Sequence, residues 1–254
     1  MEKKPLVSII TPSYNTERFI SETIDSVLNQ TYANWEMIIV DDVSSDKSIS
    51  IIKKYIADYP TLKIYLVENE NNLGPALSRN KAIEKSSGRF LAFLDSDDCW
   101  TVDKLSKQVE FMQHNKVPFT CTYYSQISEE GVFMKNIDNL PSKLTYSDII
   151  KSNKIGCLTA VYDVSFFGKI YMKNIAKRQD YVLWLSLLKK TKYVYCLPQI
   201  LAKYRLRKNS VSSNKLNLIK YHWKIYYVIE KKGFLMSSYY LVYYVLNTFL
   251  NKVK

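Results

Sequence analysis

Over its first hundred residues the chain alternates short apolar runs of strand length with segments whose apolar residues recur at helical spacing. The pattern predicts strands over residues 6–11, 37–40, 63–67 and 90–94, separated by helices. Such alternation is typical of a parallel α/β sheet, because parallel neighbours need a crossover helix. We therefore predict an α/β fold with a mostly parallel central sheet.

Beyond Cys99 the alternation becomes less regular. Strand-like segments are predicted at 119–127 and 157–162, and an extended segment at 193–206 is expected to be interrupted by Pro198. The helical patterns in this part of the chain cover 102–114, 146–151, 180–190 and the region from 214 onward. A chain of 254 residues suits one full-sized domain with a modest appendage, so we place the domain at 1–213 and a helical extension at 214–254.

Cysteine and histidine usage limits the chemistry that the chain can perform. Its four cysteines lie far apart without a Cys-x-x-Cys pair, and only His114 and His222 are present. Thiolate zinc sites, redox pairs and histidine-rich metal sites are therefore disfavoured, and any catalysis must depend on carboxylates. The segment before the first strand has no apolar signal-peptide core, so a reducing, cytoplasmic location is expected.

Polar and acidic residues follow the predicted strands, where ligands bind in doubly wound sheets. Tyr14 follows the first strand, Asp41 and Asp42 the second, and Asp95 and Asp97 the fourth. The first loop lacks a Gly-x-Gly-x-x-Gly turn and no Walker lysine loop occurs, which disfavours dinucleotide oxidoreductases and P-loop enzymes. Two carboxylates spaced as in Asp-x-Asp are suited to one Mg²⁺ or Mn²⁺ ion. The alternative is that these acids only cap turns.

Three further charged residues lie near the end of the domain. Asp180 precedes an apolar helix, where it is either a helix cap or a rigidly held general base. Arg205 and Arg207 follow the extended segment and are either phosphate ligands or solvated side chains.

Five motifs in order resemble glycosyltransferase family 2, the inverting enzymes of the Rossmann-like GT-A fold that use nucleotide-sugar donors. They cover residues 5–213 and are Val7-Ser8-Ile9-Ile10-Thr11-Pro12-Ser13-Tyr14-Asn15, Ile39-Val40-Asp41-Asp42-Val43-Ser44-Ser45-Asp46, Asn72-Leu73-Gly74-Pro75-Ala76-Leu77-Ser78-Arg79-Asn80, Phe93-Leu94-Asp95-Ser96-Asp97-Asp98 and Gln179-Asp180-Tyr181-Val182-Leu183-Trp184-Leu185. Relatives often have Gly or Ala at Val43, Glu at Gln179 and His at Arg207.

The resemblance implies a role for each matched residue. The residues around the nucleotide base and ribose would be Pro12, Tyr14, Asp42, Asn72 and Arg79, with Asp41 assisting and Asp95 also bordering the nucleotide. Asp95 and Asp97 would hold Mn²⁺ or Mg²⁺, with Asp97 the direct ligand. Asp180 would be the catalytic base, and Arg207 would stabilise the departing nucleoside diphosphate together with the metal.

The C-terminal fifth of the chain is strongly basic. From residue 202 onward there are eleven lysines and arginines against the single acid Glu230, and the nineteen residues Gly233–Asn251 carry no charge and are rich in tyrosine. A helix on an anionic membrane surface is expected, with Lys215, Lys220, Lys224, Lys231 and Lys232 facing the lipid. The alternatives are that this helix packs on the catalytic domain or forms a homodimer contact.

The main functional hypothesis is transfer of one sugar from a UDP-sugar to a glycan or lipid-linked acceptor during surface polysaccharide assembly. The enzyme would then lie on the inner face of the cytoplasmic membrane. Two other classes stay open, a non-catalytic nucleotide- or polyanion-binding module and a metal-dependent nucleotidyltransferase that releases pyrophosphate. Nucleic-acid binding is disfavoured, because no recognised module accompanies the positive charge.

Overall fold

The computed structural model describes residues 4–207 and 215–250, which form ten strands and nine α-helices. The strands are β1 (Val7–Ser13), β2 (Trp35–Asp41), β3 (Ile64–Glu68), β4 (Phe90–Phe93), β5 (Cys99–Trp100), β6 (Phe119–Ile127), β7 (Phe133–Ile137), β8 (Lys143–Leu144), β9 (Val161–Asp163) and β10 (Val194–Arg205). The helices are α1 (Ile20–Leu28), α2 (Ser48–Asp58), α3 (Pro75–Lys85), α4 (Lys104–Asn115), α5 (Tyr146–Lys151), α6 (Val164–Phe167), α7 (Gln179–Leu188), α8 (Lys215–Trp223) and α9 (Gly233–Leu250).

The first half of the sheet is parallel, as the alternating sequence predicts. Strands β3, β2, β1 and β4 are neighbours in that order, and each pair among them is parallel. Alternate residues face opposite sides, so Ile9 and Ile39 join one apolar cluster while Ile10 and Ile38 join the other. The carboxyl ends of β1, β2 and β4 therefore meet at one edge of the sheet.

The second half of the sheet is mixed. Strand β9 is antiparallel to β4 and β6, whereas β6 and β10 pair in parallel. The expected interruption at Pro198 is partly correct: β10 continues through the proline, but its register against β6 shifts between Leu197 and Ile200 and again between Ile200 and Lys203. Proline, which has no N–H to donate, is tolerated at such an irregularity.

The strand expected over 157–162 is also only partly correct. Residues Cys157–Thr159 form a 3₁₀ turn, and strand pairing covers only Val161–Asp163. Two side chains donate hydrogen bonds to carbonyls of this turn, Trp100 Nε1 to Leu158 at 2.8 Å and Gln108 Nε2 to Thr159 at 2.9 Å. These carbonyls therefore find partners outside the sheet, which favours the turn.

The C-terminal helices pack on the domain with one face. Helix α8 continues into a π-helical segment, Lys224–Ile229, in which Ile225 and Tyr226 are buried against the cluster that also contains Trp184. The predicted boundary between 213 and 214, Asn251 and the side chain of Lys215 lie outside the described residues. Within residues 4–207 and 215–250, none of the helices combines the length and apolar character needed to cross a bilayer.

Candidate active site

The predicted nucleotide residues lie where β1 and β2 end side by side. Ser13 pairs with Asp41 and Pro12 with Val40, which places Tyr14 beside the two acids that end β2. Pro12 is partly buried, whereas Tyr14 is half exposed. The edge thus presents an aromatic face to solvent beside a carboxylate pair, an arrangement suited to a base and a ribose.

The two neighbouring acids Asp41 and Asp42 are both buried but have different partners. Asp41 accepts hydrogen bonds from Ser13 Oγ at 3.1 Å and from Ser44 N and Oγ at 2.8 and 2.7 Å. Asp42 accepts from Asn69 Nδ2 and from the backbone amides of Leu73 and Gly74, all within 2.8 Å. Asp41 therefore closes the turn after β2, while Asp42 ties that turn to the loop before α3.

The loop that precedes α3 is held against β2 by a second contact as well. Asn72 Nδ2 donates to the carbonyl of Asp42 at 3.0 Å. Val43 has a φ of +68°, in the left-handed region, where a β-branched residue is strained. The strained turn directs Asp42 towards the loop. Gly or Ala, which are common at this position in the resembled family, would relieve part of the strain.

The Asp-x-Asp acids lie directly beyond β4, each paired with an arginine. Arg79 Nη2 donates to Asp95 Oδ1 at 2.5 Å from a nearly fully buried position, and Arg207 Nη1 donates to Asp97 Oδ2 at 3.1 Å. Burial raises the pKa of Asp97, and the charge of Asp95 raises it further while Arg207 lowers it. The two carboxylates are therefore close enough to repel each other.

Asp98 and Arg205 have a structural role, although both lie beside the Asp-x-Asp acids. Asp98 accepts from the backbone amide of Arg205 at 2.8 Å, and its pKa is raised well above its usual value by burial and by Asp97 and Asp95. The Arg205 guanidinium donates to the carbonyls of Asp97 and Glu129 and to the Glu22 carboxylate. The interpretation of Arg205 as a phosphate ligand is therefore not favoured, whereas the partly exposed Arg207 has the better access.

Asp180 lies at the start of α7, a helix that is fixed against the sheet by its apolar side chains. Trp184 is fully buried and contacts Phe93 edge-on, with ring centroids 5.4 Å apart, and Phe119 at 5.6 Å. Arg178, the residue before the helix, has a left-handed backbone conformation with a φ of +65°. The helix therefore holds Asp180 in a fixed position.

The electrostatics of Asp180 place it in the same site as the Asp-x-Asp acids. Burial raises the pKa of Asp180, Arg178 and Arg79 lower it, and the charge of Asp95 adds to the rise. Buried Nε and Nη1 atoms of Arg79 and the Nε of Arg178 have no hydrogen-bond partner. Buried guanidinium N–H groups are normally paired, so these two arginines have unused hydrogen-bonding capacity beside Asp180.

Two of the acids suit a divalent metal, although they do not form a complete metal site by themselves. Across the described ranges, no three histidine, cysteine or acidic side chains gather closely enough to hold a metal by themselves. Asp95 and Asp97 supply two carboxylates that repel each other. Carboxylate oxygens are the ligands that Mg²⁺ and Mn²⁺ prefer. These ions usually take their remaining ligands from water and substrate phosphates, so the residues fit such an ion bound together with a diphosphate.

Two residues of the site were missed in the sequence. Asn69 follows β3 and donates through Nδ2 to Asp42 and to Ser78 Oγ, while its Oδ1 accepts from Lys81 Nζ at 2.8 Å. Its position at a strand end was the signal that could have found it. Arg178 had no such signal, since it does not follow a strand; its backbone is left-handed, and its charge lowers the pKa of Asp180.

Solved structures show which class of fold this is. The structure of S. aureus TarS 1-349 with UDP-GlcNAc superimposes with a TM-score of 0.72 at 21% identity, covering 86% of this chain and 65% of that one. The mannosyltransferase PcManGT from Pyrobaculum calidifontis, solved with GDP-Man and Mn²⁺, gives a TM-score of 0.68 at 17% identity, covering 94% and 70%. The α/β domain is thus of the GT-A type, as expected.

Sequence comparisons show the family within that class. The model described as "Glycosyl transferase family 2" matches residues 8–178. TuaG of Bacillus subtilis, named provisionally as a teichuronic acid biosynthesis glycosyltransferase, is 46% identical over 96% of both chains. The UDP-Glc:α-D-GlcNAc-diphosphoundecaprenol β-1,3-glucosyltransferase WfgD of Escherichia coli is 39% identical over 98% of this chain and 94% of its own. The chain belongs to glycosyl transferase family 2 and is a glycosyltransferase.

Proposed function

We propose that the enzyme transfers one sugar from a UDP-sugar to a hydroxyl of a lipid-linked or glycan acceptor in surface polysaccharide synthesis, with inversion at the anomeric carbon. The observation that carries the proposal is that Arg79 forms an ion pair with Asp95 and also interacts electrostatically with Asp180 at the start of α7, while Asp97 lies close enough to Asp95 to be affected by its charge. The names of TuaG and WfgD, and the UDP-containing TarS structure, support the donor and acceptor classes. Residues 1–213 would form the catalytic domain and 214–254 its extension.

On the donor side, the residues at the ends of β1 and β2 would bind the nucleotide. Tyr14 would contact the base, and Asp42 with Asn72 would line the ribose beside Pro12. Asp41 would support this loop through its bonds to Ser13 and Ser44. Arg79 would hold Asp95 in place through their ion pair while bordering the nucleotide.

The chemical step is a single displacement. The acceptor hydroxyl oxygen attacks the anomeric carbon while its proton passes to a carboxylate oxygen of Asp180, and the electron pair of the breaking C–O bond leaves with UDP. Mn²⁺ or Mg²⁺ held by Asp95 and Asp97 would supply positive charge to the leaving diphosphate when bound. Arg207, which lies beside Asp97, would donate hydrogen bonds to the same diphosphate, where negative charge grows in the transition state.

A base with a raised pKa is suited to this role. The burial that raises the pKa of Asp180 makes its carboxylate a stronger proton acceptor, while the charges of Arg178 and Arg79 lower that pKa and limit the rise. A lipid-linked acceptor would bring the enzyme to the inner face of the cytoplasmic membrane.

A release assay with a panel of nucleotide sugars tests the proposal. Purified enzyme is incubated with UDP-glucose, UDP-GlcNAc, UDP-galactose or GDP-mannose, with Mn²⁺, Mg²⁺ or a chelator. We expect UDP release from at least one UDP-sugar with metal and none with chelator. Release of pyrophosphate instead would identify a nucleotidyltransferase, and release of GDP alone or undiminished release with chelator would contradict the proposed donor or metal.

A further inference from the structure

The outer face of α9 is apolar but has no partner among the described residues. Leu235, Tyr239, Val242 and Leu246 recur at helical spacing and are exposed, Leu235 at 83% and Leu246 at 56%. The helix contains no charged residue. An apolar helix face of this length in contact with water marks an interaction surface, since soluble proteins rarely leave so large a patch uncovered.

The opposite face of α9 is already engaged, so the exposed stripe cannot turn inward. Ser237 is buried, and the Tyr240 ring lies 5.5 Å from that of Tyr226. The Tyr244 ring stacks on His222 with centroids 3.7 Å apart. The helix orientation is therefore fixed by contacts to the preceding helical segment and to the domain.

The apolar surface continues onto the preceding helix. The Trp223 ring lies 5.4 Å from that of Tyr227 and 5.7 Å from that of Phe234, so the three rings form one cluster. Tyr227 and Phe234 are exposed. Tryptophan and tyrosine are enriched at the boundary between lipid and water, because their rings are apolar and their N–H or O–H groups stay hydrated. We call this cluster and the exposed stripe of α9 the docking face.

The charges beside the docking face are positive. Lys220, Lys224 and Lys231 are exposed, and Glu230 is the only acid from residue 202 onward. The Glu230 carboxylate is buried and bonded to Lys189 Nζ at 2.8 Å and to the Tyr146 hydroxyl. A second copy would bring like charges together, whereas an anionic lipid surface would complement them.

We propose that the docking face lies in the interfacial layer of an anionic bilayer, with α9 parallel to the membrane. Only one face of α9 is exposed, while the opposite face packs on the preceding helices, and this arrangement suits a helix that lies on the membrane surface. Under the proposed function, this contact would bring the active site to lipid-linked acceptors. Membrane binding itself does not depend on which sugar is transferred.

Vesicle flotation of the full chain tests this inference. Vesicles of phosphatidylcholine with 30 mol% phosphatidylglycerol are compared with pure phosphatidylcholine for the wild type and for Leu235→Glu and Lys224→Glu. Leu62→Glu, which changes an exposed leucine before β3, is the matched control. We expect binding to anionic vesicles, about tenfold weaker partitioning for Leu235→Glu, a weaker effect for Lys224→Glu and no effect for the control.

Equal flotation of Leu235→Glu and wild type would overturn the inference. The inference would also be overturned if the wild type does not bind vesicles and instead forms a dimer that Leu235→Glu dissociates, as measured by light scattering. The docking face would then bind a second copy. UDP release in solution is measured in parallel for every variant. A variant that no longer floats with vesicles but still releases UDP at the wild-type rate supports a docking role separate from catalysis. If the wild type itself releases no UDP, that result would count against the proposed function and not against membrane binding.

Discussion

Among the charged groups around Asp180, Arg178 does most to lower its pKa. Arg79 acts in the same direction, and Asp95 acts against both. Arg178 also lies near His222 and helps to lower the pKa of that imidazole, together with burial, to about 3. Arg178, two residues before the proposed base, thus links that carboxylate electrostatically with the C-terminal helices.

We expect Arg178→Gln to move the acid limb of the turnover pH profile to higher pH. The base must be ionised, and removal of the positive charge raises the pKa of Asp180, so a larger fraction is protonated at a given pH. Turnover on the acid side of the profile should fall and recover at higher pH. The measurement is kcat against pH, with Lys177→Gln as the neighbouring control, and an unmoved acid limb would contradict the assignment.

The positions of the acids were predictable, because residues that follow neighbouring parallel strands meet at one edge of the sheet. Asp41, Asp42, Asp95 and Asp97 illustrate this. Their different partners were not predictable. Asp41 is held by serine hydroxyls and Asp42 by backbone amides of a loop 30 residues further along the chain. Those contacts depend on loop conformation, including the left-handed Val43, which the sequence pattern does not encode.

At the scale of elements, α4 contains a lysine that is fully buried. Lys104 Nζ donates to Gln108 Oε1 at 2.7 Å and lies 4.2 Å from the centroid of the Trp100 ring. Burial lowers the pKa of Lys104 to about 7. The unfolded chain therefore binds a proton between about pH 7 and 10.5 that the folded protein does not, so this residue makes stability rise with pH in that range.

We expect Lys104→Met to stabilise the protein at pH 7 by on the order of 1–3 kcal/mol, because an apolar side chain of similar length avoids burial of the amine. The advantage over wild type should shrink as the pH rises towards 10. Urea denaturation of both proteins at pH 7, 8.5 and 10 measures the difference. A constant difference across that range would show that the Lys104 pKa is not lowered in the folded state.

The elements themselves were predicted best where local pattern and tertiary contacts agree. Helix α5 matches its predicted range of 146–151, and it carries a capping box between Thr145 and Asp148 that is encoded locally. The 3₁₀ turn over Cys157–Thr159 was missed because hydrogen bonds from Trp100 and Gln108, distant in sequence, select it over a strand. Non-local side-chain contacts of this kind have no periodic signal.

At the scale of the whole molecule, the C-terminal helices are joined to the domain by a buried carboxylate. Glu230 accepts hydrogen bonds from Lys189 at the end of α7 and from Tyr146 at the start of α5. The C-terminal extension was predicted to be helical, but its sequence did not show whether the helices pack on the domain or contact a membrane. In the structure, one face of α9 packs on the protein and the other is exposed, so packing applies to the first face and the membrane contact stays a proposal for the second.

Glu230→Ala should destabilise the fold by about 1–3 kcal/mol, since it leaves the Tyr146 hydroxyl without its buried acceptor and Lys189 without its counter-ion. The free energy of unfolding in urea measures this effect. Glu84→Ala, which removes an exposed acid of α3, is the control. Identical stability of the Glu230 variant and wild type would mean that this contact does not hold the helices in place.

Under the proposed function, Asp180 removes the acceptor proton at a site where Asp95 and Asp97 hold the metal. The most direct measurement compares Asp180→Asn with wild type in two assays, turnover with the sugar donor found in the panel and calorimetric binding of UDP with Mn²⁺. We expect turnover to fall at least about a hundredfold while UDP affinity is largely retained. Turnover close to that of the wild type would contradict the role of Asp180 as the base.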